Sequence, residues 1–352
     1  MHIIVVRKFD YTFINDLSLP ARKFGLMHAI IADNESLKAK SGINPELFSK
    51  LREIAAVESI KGSNAIEGIG TTDERLRGIA LKRTEPIGHQ EEEIAGYRDA
   101  LDLIHRKYAE LPFDEVTICG LHSMIYSHCR DKDGGRYKTT DNIIVDRTPE
   151  GDSVRFEPVP AADTESSMSA MVAAYTETID DPYIEPLVLI PCVILDFLCI
   201  HPFPDGNGRI SRLLTILLLY HCGIDIQRYG SMEAAINQSK DRYYEALKAS
   251  SENWHDGSND YVPFISYFLD VMNSCVTDLD RRRIAVGSRA VSKTERIERA
   301  VLDSVVPISK AEICDLLLDV SPSTVEKVLS DLTKEGKIIK IGTTRSARYR
   351  KV

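Results

Sequence analysis

The sequence predicts a mainly α-helical protein with a small β-hairpin and a separate C-terminal winged-helix domain. Apolar residues recur at three- and four-residue spacing along much of the 352-residue chain, as on the buried faces of helices. Residues 136–146 are instead rich in Tyr, Thr, Ile and Val, which favours a strand or hairpin. Near the C-terminus a helix–turn–helix pattern is followed by two short strand-like runs, the order of a winged helix.

The composition is that of a globular protein and argues against several classes of function. Hydrophobic residues make up 43% and charged residues 28% of the chain, and the formal net charge of −9 disfavours polyanion binding by the whole surface. The longest apolar stretch, residues 187–200, contains Pro191 and Asp196 and is shorter than the roughly 20 residues of a membrane span. Seven scattered cysteines without a CxxC pair favour reduced thiols. We therefore expect a cytoplasmic protein that binds no membrane.

The helices of the main body are predicted from apolar spacing and from their end residues. Residues 1–20 are expected to be extended, and a helix is expected over 37–61, where Asn44-Pro45 supplies an N-cap and a first-turn proline. Further helices are predicted over 92–108, 113–128, 166–179, 183–200, 207–222 and 239–250. The segments 183–200 and 207–222 are apolar nearly all round, so they should lie at the centre of the body. A turn at Asp133-Gly134-Gly135 precedes the expected hairpin.

The C-terminal unit is predicted to begin near Val291. Its expected helices cover 308–317 and 321–335, the second opened by Ser321-Pro322, and its expected strands cover 338–341 and 345–349. The end of this unit carries five basic residues and no acidic one: Lys340, Arg345, Arg348, Arg350 and Lys351. Residues 290–352 as a whole hold 12 Lys and Arg against 9 Asp and Glu, a net charge of +3 that is weak for an autonomous DNA-binding domain. Protein contact is an equally good interpretation.

The most informative segment is the loop between the two apolar helices, residues 201–212, with the sequence HPFPDGNGRISR. Its prolines end the first helix and the next begins at Asn207 or Gly208, so the amides of 206–209 should form an anion-binding nest at a helix N-terminus. Gly206 and Gly208 let the main chain approach phosphate oxygens closely.

Four side chains complete a candidate nucleotide site in this loop. Arg209 and Arg212 are three residues apart on one helix face, where two guanidinium groups could hold outer phosphates. Asp205 offers a carboxylate to Mg²⁺ beside those phosphates, and His201 is a suitable general base for an attacking hydroxyl. Each residue alone is more often structural, but no packing reason accounts for all of them together. No Walker loop, dinucleotide fingerprint or HExxH motif competes as a phosphate or metal site.

The loop resembles the HPFx(D/E)GNGRxxR motif of Fic-domain proteins, which transfer AMP from ATP to protein hydroxyls. The resemblance implies a helical core with a β-hairpin flap, ATP as substrate and Mg²⁺ as cofactor. It implies that His201 deprotonates the target Ser, Thr or Tyr and that Asp205 holds Mg²⁺. Gly206, Asn207 and Gly208 would steady the α-phosphate, with Arg209 further out and Arg212 on the γ-phosphate. By a looser resemblance, Tyr243 and Tyr244 lie near the adenine or ribose, although helix packing explains them equally well.

Two further segments are similar to parts of the same family. Residues 135–144 resemble the flap that holds the target chain by strand addition, with target-binding positions at Tyr137, Lys138, Thr139, Asn142, Ile143 and Ile144. Lys138 stands where arginine is usual. Residues 63–68, SNAIEG, resemble the (S/T)xxxE(G/N) inhibitory motif. Ser63 and Glu67 share a helix face at four-residue spacing, so Glu67 could pair with Arg212 and exclude a γ-phosphate.

The resemblance implies three domains and a self-inhibited protein adenylyltransferase. The expected divisions are an N-terminal helical arm over 1–100 carrying the inhibitory motif, a catalytic core over 101–280 and a winged-helix domain over 290–352. Partners would be ATP and a protein with an exposed Ser, Thr or Tyr, including the chain itself. A homodimer remains open, and DNA is not favoured. The alternatives are a DNA-binding regulator with a nucleotide-sensing domain, and an enzyme of the same family that removes AMP or transfers another phosphate-linked group.

Overall fold

A computed structural model of the chain describes residues 7–43, 45–130, 134–148, 151–287, 292–302, 304, 307–317, 320–342 and 347–351. Within these residues the fold is mainly helical, as predicted. The helices of the main body are α1 (Ala21–Ile43), α2 (Pro45–Ile66), α3 (Asp73–Ala80), α4 (His89–Lys107), α5 (Glu115–Ile125), α6 (Thr164–Ile179), α7 (Pro186–Ile200), α8 (Asn207–His221), α9 (Met232–Gln238), α10 (Lys240–Ser251) and α11 (Val262–Gly287). Short 3-10 turns lie at Thr12–Asp16, Tyr108–Glu110, Ala161–Asp163 and Ile226–Arg228.

A two-stranded antiparallel hairpin interrupts the helices between α5 and α6. Strands β1 (Ile144–Thr148) and β2 (Gly151–Phe156) pair with Val145 opposite Val154, and a register shift follows Ile144. The prediction of a hairpin is confirmed, but the strand begins at Ile144 and not at 136. Residues 136–143 are irregular because their polar groups bond to the loop after α7, as when the Lys138 amide donates to the Pro202 carbonyl at 2.8 Å. Asp133 lies outside the described residues.

Several helices of the structure lie wholly or partly outside the predicted helical segments. Helix α1 was not expected before residue 37 because its buried face contains Asn34, which breaks the apolar spacing. The Asn34 side chain is satisfied within the fold, since it donates to the Gly223 carbonyl at 2.9 Å and accepts from the Asp225 amide at 2.7 Å. Helices α3, α9, α11 and α12 (Lys293–Leu302) were likewise not predicted. Asn44 lies outside the described residues.

One hydrophobic core joins the helices of the main body. It contains residues from Phe9 to Leu279, and it spans the predicted boundary at residue 100, across which helix α4 runs without a break. Helix α11 continues past the predicted boundary at 280. Near this boundary Arg282 is buried, and it forms ion pairs with Glu58 of α2 and with Asp278.

Helices α7 and α8 lie at the centre of this core, as the sequence predicts, and carry the loop of interest between them. Nearly every residue of both helices is buried. The one acidic residue of α7, Asp196, accepts hydrogen bonds from Tyr11 at 2.9 Å, Trp254 at 2.7 Å and Tyr261 at 2.8 Å. These bonds fix α7 to the N-terminal segment and to the chain before α11.

The C-terminal region has its own smaller core. Helix α12 is followed by β3 (Ile308–Ser309), α13 (Lys310–Leu316), α14 (Pro322–Lys334), β4 (Ile338–Ile341) and β5 (Arg348–Lys351), with strand order β3-β5-β4. Ser309 and Ser321 cap the two adjacent helices, and Pro322 occupies the first turn of α14. The final strand begins at Arg348, later than predicted, and Arg345 lies outside the described residues.

No helix in the described ranges combines the length and apolar character that crossing a bilayer requires.

Helices α4 and α5 cross closely because of a glycine. A Cβ at Gly96 would lie 2.6 Å from the carbonyl carbon of Ile125 and 2.8 Å from the Met124 oxygen, both of them backbone atoms. We expect Gly96→Ala to lower the free energy of unfolding by about 1–3 kcal/mol, since the helices must separate. Gly120→Ala is the matched control, because a Cβ at this position in α5 has no neighbour within 4 Å. It should instead raise stability by up to about 1 kcal/mol. Urea unfolding of both variants checks this, and equal effects would contradict the close crossing.

Candidate active site

His201 is held in one orientation and one tautomer at the end of α7. Its backbone is left-handed, with φ at 51°, and its amide donates to the Phe197 carbonyl at 2.9 Å. Nδ1 lies 3.2 Å from the Leu198 carbonyl oxygen. Because a carbonyl only accepts, Nδ1 carries the proton and the lone pair is on Nε2. Burial lowers the pKa of His201 to about 4, so the imidazole is neutral near pH 7 and can accept a proton.

The loop after His201 is fixed by Phe203 and Asn207. Phe203 is fully buried and stacks on His122, with ring centroids 3.7 Å apart and planes within 7°. The Asn207 side chain accepts from the Phe203 amide at 2.9 Å and donates to the Phe203 carbonyl at 2.7 Å. Asn207 is therefore committed to the loop through both ends of its amide group.

His122 of α5 connects this loop to the base of the hairpin. Its Nε2 donates to the Asp205 carbonyl at 3.0 Å, and its Nδ1 accepts from the Gly135 amide at 2.7 Å. Burial lowers the pKa of His122 to about 4, which keeps the ring neutral with both nitrogens engaged. Nothing in the sequence around His122 indicated this role.

Asp205 and the N-terminus of α8 form an exposed rim beside His201. Gly206 has φ at 81°, a left-handed conformation that glycine adopts without strain, and this turns the chain into α8 at Asn207. The Asp205 side chain is exposed and accepts from the Gly206 amide at 2.7 Å. Unpaired amides in the first turn of a helix attract anions, so a carboxylate and an anion-binding helix end adjoin here.

Arg212, one turn into α8, is buried and paired with the end of α2. Its Nε donates to the Ser63 hydroxyl at 2.8 Å, and its Nη2 donates to the Ser63 carbonyl at 3.0 Å and to Glu67 Oε1 at 2.8 Å. Burial opposes the charge, but the Glu67 carboxylate more than compensates and raises the pKa of Arg212. The pairing of Ser63 and Glu67 with Arg212 that the spacing indicated is present.

The Glu67 carboxylate also lies against the first turn of α8. A Cβ at Gly208 would collide with Glu67 Oε1 and lie 3.3 Å from Arg212 Nη1. The carboxylate thus occupies the space between the helix N-terminus and the guanidinium. Any anion bound to both of these groups would need to displace it.

Helix α2 reaches this position through close contacts with neighbouring helices. A Cβ at Gly62 would lie 2.6 Å from the Glu233 carbonyl carbon of α9, and Ser59 donates to Ser231 at 3.0 Å. Lys240 donates to the Ile66 carbonyl at 2.6 Å, and left-handed Gly68, with φ at 76°, ends the helix just after Glu67.

Arg209 is not in the position that the sequence predicted. Its side chain is 1% exposed, lies 2.6 Å from Glu93 Oε2 of α4 and donates to the Tyr126 hydroxyl at 2.8 Å. It points into the protein behind the loop because Glu93, itself 5% exposed, neutralises it there. The three-residue spacing of Arg209 and Arg212 could not indicate that Glu93 is the partner of Arg209, because Glu93 lies more than a hundred residues earlier in the chain.

A cavity of about 500 Å³ lies beside His201 and Arg212, and its volume is suited to a small organic ligand. Nine residues identified from the sequence line it: Glu67, Ile143, Ile144, His201, Asp205, Gly208, Arg212, Tyr243 and Tyr244. Sequence reasoning missed several others, among them Arg155 and Phe156 on β2 and Leu198 and Cys199 on α7. The Arg155 guanidinium lies 5.0 Å from the centre of the Tyr244 ring, a contact that only the folded hairpin creates.

The flap residues divide into an internal and an external set. Lys138 is 4% exposed and donates to Asn142 Oδ1 at 2.8 Å and to the Ile200 carbonyl at 3.1 Å, so it braces the end of α7 and does not present its charge to a target. Burial lowers the pKa of Lys138 to about 8. Tyr137 packs on Phe203 and donates to Glu115. Thr139 and Ile143 are exposed, and Ile144 is partly exposed.

Comparison with known proteins finds a family match in this part of the chain. Residues 112–219 match the model of the Fic/DOC family. This segment is therefore similar to the domain that defines that family. It includes the hairpin, helices α5 to α7, most of α8 and the whole loop from His201 to Arg212.

Two curated relatives are both named protein adenylyltransferase Fic. The one from Nematostella vectensis is 27% identical over 222 residues, covering 60% of this chain and 46% of the relative. The one from Drosophila willistoni is 24% identical over 246 residues, covering 68% of this chain and 44% of the relative. The chain therefore spans less than half the length of these relatives.

Solved structures share the fold beyond residues 112–219. A Fic family protein from Desulfovibrio desulfuricans aligns with a TM-score of 0.60 at 19% identity, covering 96% of this chain and 97% of the other. A Fic domain containing signaling protein from Bacteroides thetaiotaomicron aligns with a TM-score of 0.59 at 21% identity, covering 76% of this chain and all of the other. The first alignment extends over the C-terminal region as well.

The tautomer of His201 can be tested without any substrate. We expect its imidazole to stay neutral as the pH falls until about pH 4, with the proton on Nδ1, because burial disfavours the charged ring. Long-range ¹H–¹⁵N NMR of the histidine rings measures both properties, with His201→Gln assigning the signal. His122 serves as an internal comparison, since it should show the other tautomer. Protonation of His201 near pH 6.5 would contradict the burial argument.

Proposed function

We propose that the chain is a protein adenylyltransferase that transfers AMP from ATP to a hydroxyl side chain of a protein, and that Glu67 inhibits it. One observation carries the proposal: a single cavity contains a neutral histidine with Nε2 available, an exposed carboxylate, the N-terminus of α8 and a buried arginine. The names of the relatives and the match to the Fic/DOC family support it.

In this reaction His201 Nε2 takes the proton of the target Ser, Thr or Tyr hydroxyl. The oxygen attacks the α-phosphorus of ATP, a new P–O ester bond forms, and the bond to the β-phosphate breaks as pyrophosphate leaves. The amides at the start of α8 neutralise the charge that develops on the α-phosphate oxygens. Arg212 binds the γ-phosphate and so aligns the leaving group with the incoming oxygen.

The donor set suits Mg²⁺ as cofactor. Mg²⁺ binds through one or two carboxylates together with substrate phosphates, and Asp205 is an exposed carboxylate beside the phosphate-binding helix end. Asp205 would hold the ion, which supplies neutralisation of phosphate charge when bound.

The other site residues receive more limited roles. We propose that Asn207 and Arg209 brace the loop through Phe203 and Glu93, while Gly206 and Gly208 leave room for the phosphates. Tyr244, partly exposed beneath Arg155, is suited to the nucleoside, whereas buried Tyr243 supports Arg212 from behind. The exposed chain at the start of β1, where Ile143 precedes the strand and is 59% exposed, is suited to a target chain that pairs as an added strand.

The inhibition would act through competition for Arg212. A γ-phosphate needs the guanidinium that Glu67 and Ser63 now hold, and the Glu67 carboxylate adds a negative charge beside the triphosphate. ATP then binds in a pose that is not aligned for attack.

We further propose that the C-terminal region is a winged-helix domain used for protein contact. Its order of helices and strands supports this assignment. Of its basic end, Arg348 is already bound to Glu312 at 3.1 Å and to the Pro307 carbonyl at 2.7 Å, which reduces the charge offered to DNA.

Replacing His201 tests the chemical step directly. We expect His201→Ala to lower the rate of AMP transfer by about 10²–10⁴ while MgATP affinity changes little, because the imidazole takes a proton and does not hold phosphate. Incorporation of label from [α-³²P]ATP and calorimetry with MgATP measure the two quantities. Transfer at the original rate would remove His201 from its role.

Removing the Asp205 carboxylate tests the metal assignment. We expect Asp205→Ala to abolish the dependence of ATP affinity on Mg²⁺, since the loop has no second acidic residue. Asp205→Asn, which keeps the side-chain shape, is the control for loop disruption. If ATP affinity still rises with Mg²⁺ in both variants, the ion is bound elsewhere.

Releasing Arg212 tests the inhibition. We expect Glu67→Gly to raise self-modification by roughly 10- to 100-fold, the equivalent of the roughly 1.5–3 kcal/mol of a charge-assisted hydrogen bond. The Glu67→Gly, Arg212→Ala double variant should lose this gain, because no guanidinium remains for the γ-phosphate. Equal activation with Arg212 absent would contradict competition even if the chain is an adenylyltransferase.

A further inference from the structure

A second group of candidate ligands lies outside the cavity, between the start of α4 and the chain after α5. His89, Glu92 and Cys129 each offer one ligand atom, and these atoms all lie within 4.8 Å of one another. Within the described ranges, no other group of three or more His, Cys, Asp or Glu residues converges in this way. The Fic motif uses none of the three.

The backbone holds these residues together. His89 is the first residue of α4 and Glu92 follows three positions later, which places both on one helix face. Cys129 lies just beyond α5, where its amide donates to the Tyr126 carbonyl at 2.9 Å. Because α4 and α5 cross closely at Gly96, the two sides of the group have a fixed separation.

A carboxylate lies beside one nitrogen of the His89 ring. His89 Nε2 lies 3.1 Å from Glu93 Oε1, and Glu93 pairs with Arg209 of α8. A histidine that binds a metal commonly donates its other ring N–H to a carboxylate, which fixes the ring and its tautomer. Because Nε2 lies beside Glu93, we assign Nδ1 as the nitrogen that binds a metal.

The ligand types select among metals. A thiolate, an imidazole and a carboxylate together suit Zn²⁺, whose bonds to these atoms are about 2.0–2.3 Å long, and disfavour Mg²⁺ and Ca²⁺. Cys129 is buried at 9% exposure, whereas the His89 side chain is 52% exposed, so the sulfur is shielded while the ion can enter from solvent.

We propose that His89 Nδ1, the Glu92 carboxylate and the Cys129 thiolate bind one Zn²⁺ ion, with water as the fourth ligand. Binding releases the thiol proton of Cys129 to solvent. The ion joins the start of α4 to the chain after α5. Through His89 and Glu93 it also stabilises the position of Arg209 behind the loop of residues 201–212. This site does not depend on the proposed transferase activity.

Zinc titration of the untagged, reduced full chain tests the proposal. After chelator treatment, competition with a chromophoric zinc indicator should give one Zn²⁺ per chain. We expect His89→Gln to weaken binding by about 100-fold or more, since replacing a residue that only hydrogen-bonds to a metal ligand already costs about 10- to 100-fold. His28→Gln, an exposed histidine of α1, and Cys119→Ser, a thiol of α5, are matched controls that should bind as the original chain does.

Cobalt substitution identifies the sulfur ligand. Co²⁺ bound at the site should show thiolate-to-metal charge-transfer absorption, which Cys129→Ser removes and Cys119→Ser retains. If Cys129→Ser does not fold, the exposed His89→Gln variant decides the question through zinc affinity. Three results would overturn the proposal: no stoichiometric zinc, zinc binding unchanged in His89→Gln, or a cobalt complex of the original chain without charge-transfer absorption.

Discussion

The buried guanidinium of Arg212 is the constraint on which the site depends. A buried charge needs a partner of opposite charge. Removing one member of a buried ion pair typically lowers the stability of a protein by about 3–5 kcal/mol. The end of α2 supplies two partners: Ser63, which is fully buried, and Glu67, which follows the helix and has a side chain that is 32% exposed. Because Glu67 is at a helix end and reaches solvent, it can leave while Ser63 continues to orient the arginine. In the proposed reaction, the γ-phosphate of ATP replaces the departing carboxylate as the anionic partner of Arg212.

The start of the segment from His201 to Arg212 is held in place by hydrogen bonds from several parts of the fold. Asn207 closes it internally, His122 holds the Asp205 carbonyl, and Lys138 holds the last carbonyl of α7. These contacts come from α5, the hairpin base and α8. The loop therefore presents His201 and the first amides of α8 without needing a ligand to order it, which is the preorganisation that electrostatic catalysis requires.

The local parts of this arrangement were predictable from sequence, and the long-range parts were not. Proline and glycine positions indicated the break between α7 and α8, and four-residue spacing placed Ser63 and Glu67 on one face. Arg209 was expected to hold outer phosphates and Lys138 to bind a target chain. Their buried positions could not be predicted because their partners, Glu93 and the Ile200 carbonyl, come from other parts of the chain. The part of helix α1 before residue 37 was not predicted for the same reason. Asn34 is unfavourable on a buried face unless it has hydrogen-bond partners, and its partners near Gly223 are known only from the structure.

The central claim is that Glu67 occupies the place of the γ-phosphate, and the relative affinity for ATP and ADP tests it most directly. Calorimetry with each nucleotide in the presence of Mg²⁺ gives this ratio for the original chain and for Glu67→Gly. If Glu67 holds Arg212, the original chain binds ATP and ADP about equally, whereas Glu67→Gly prefers ATP by roughly tenfold or more. An original chain that already prefers ATP as strongly as the variant does would contradict the account.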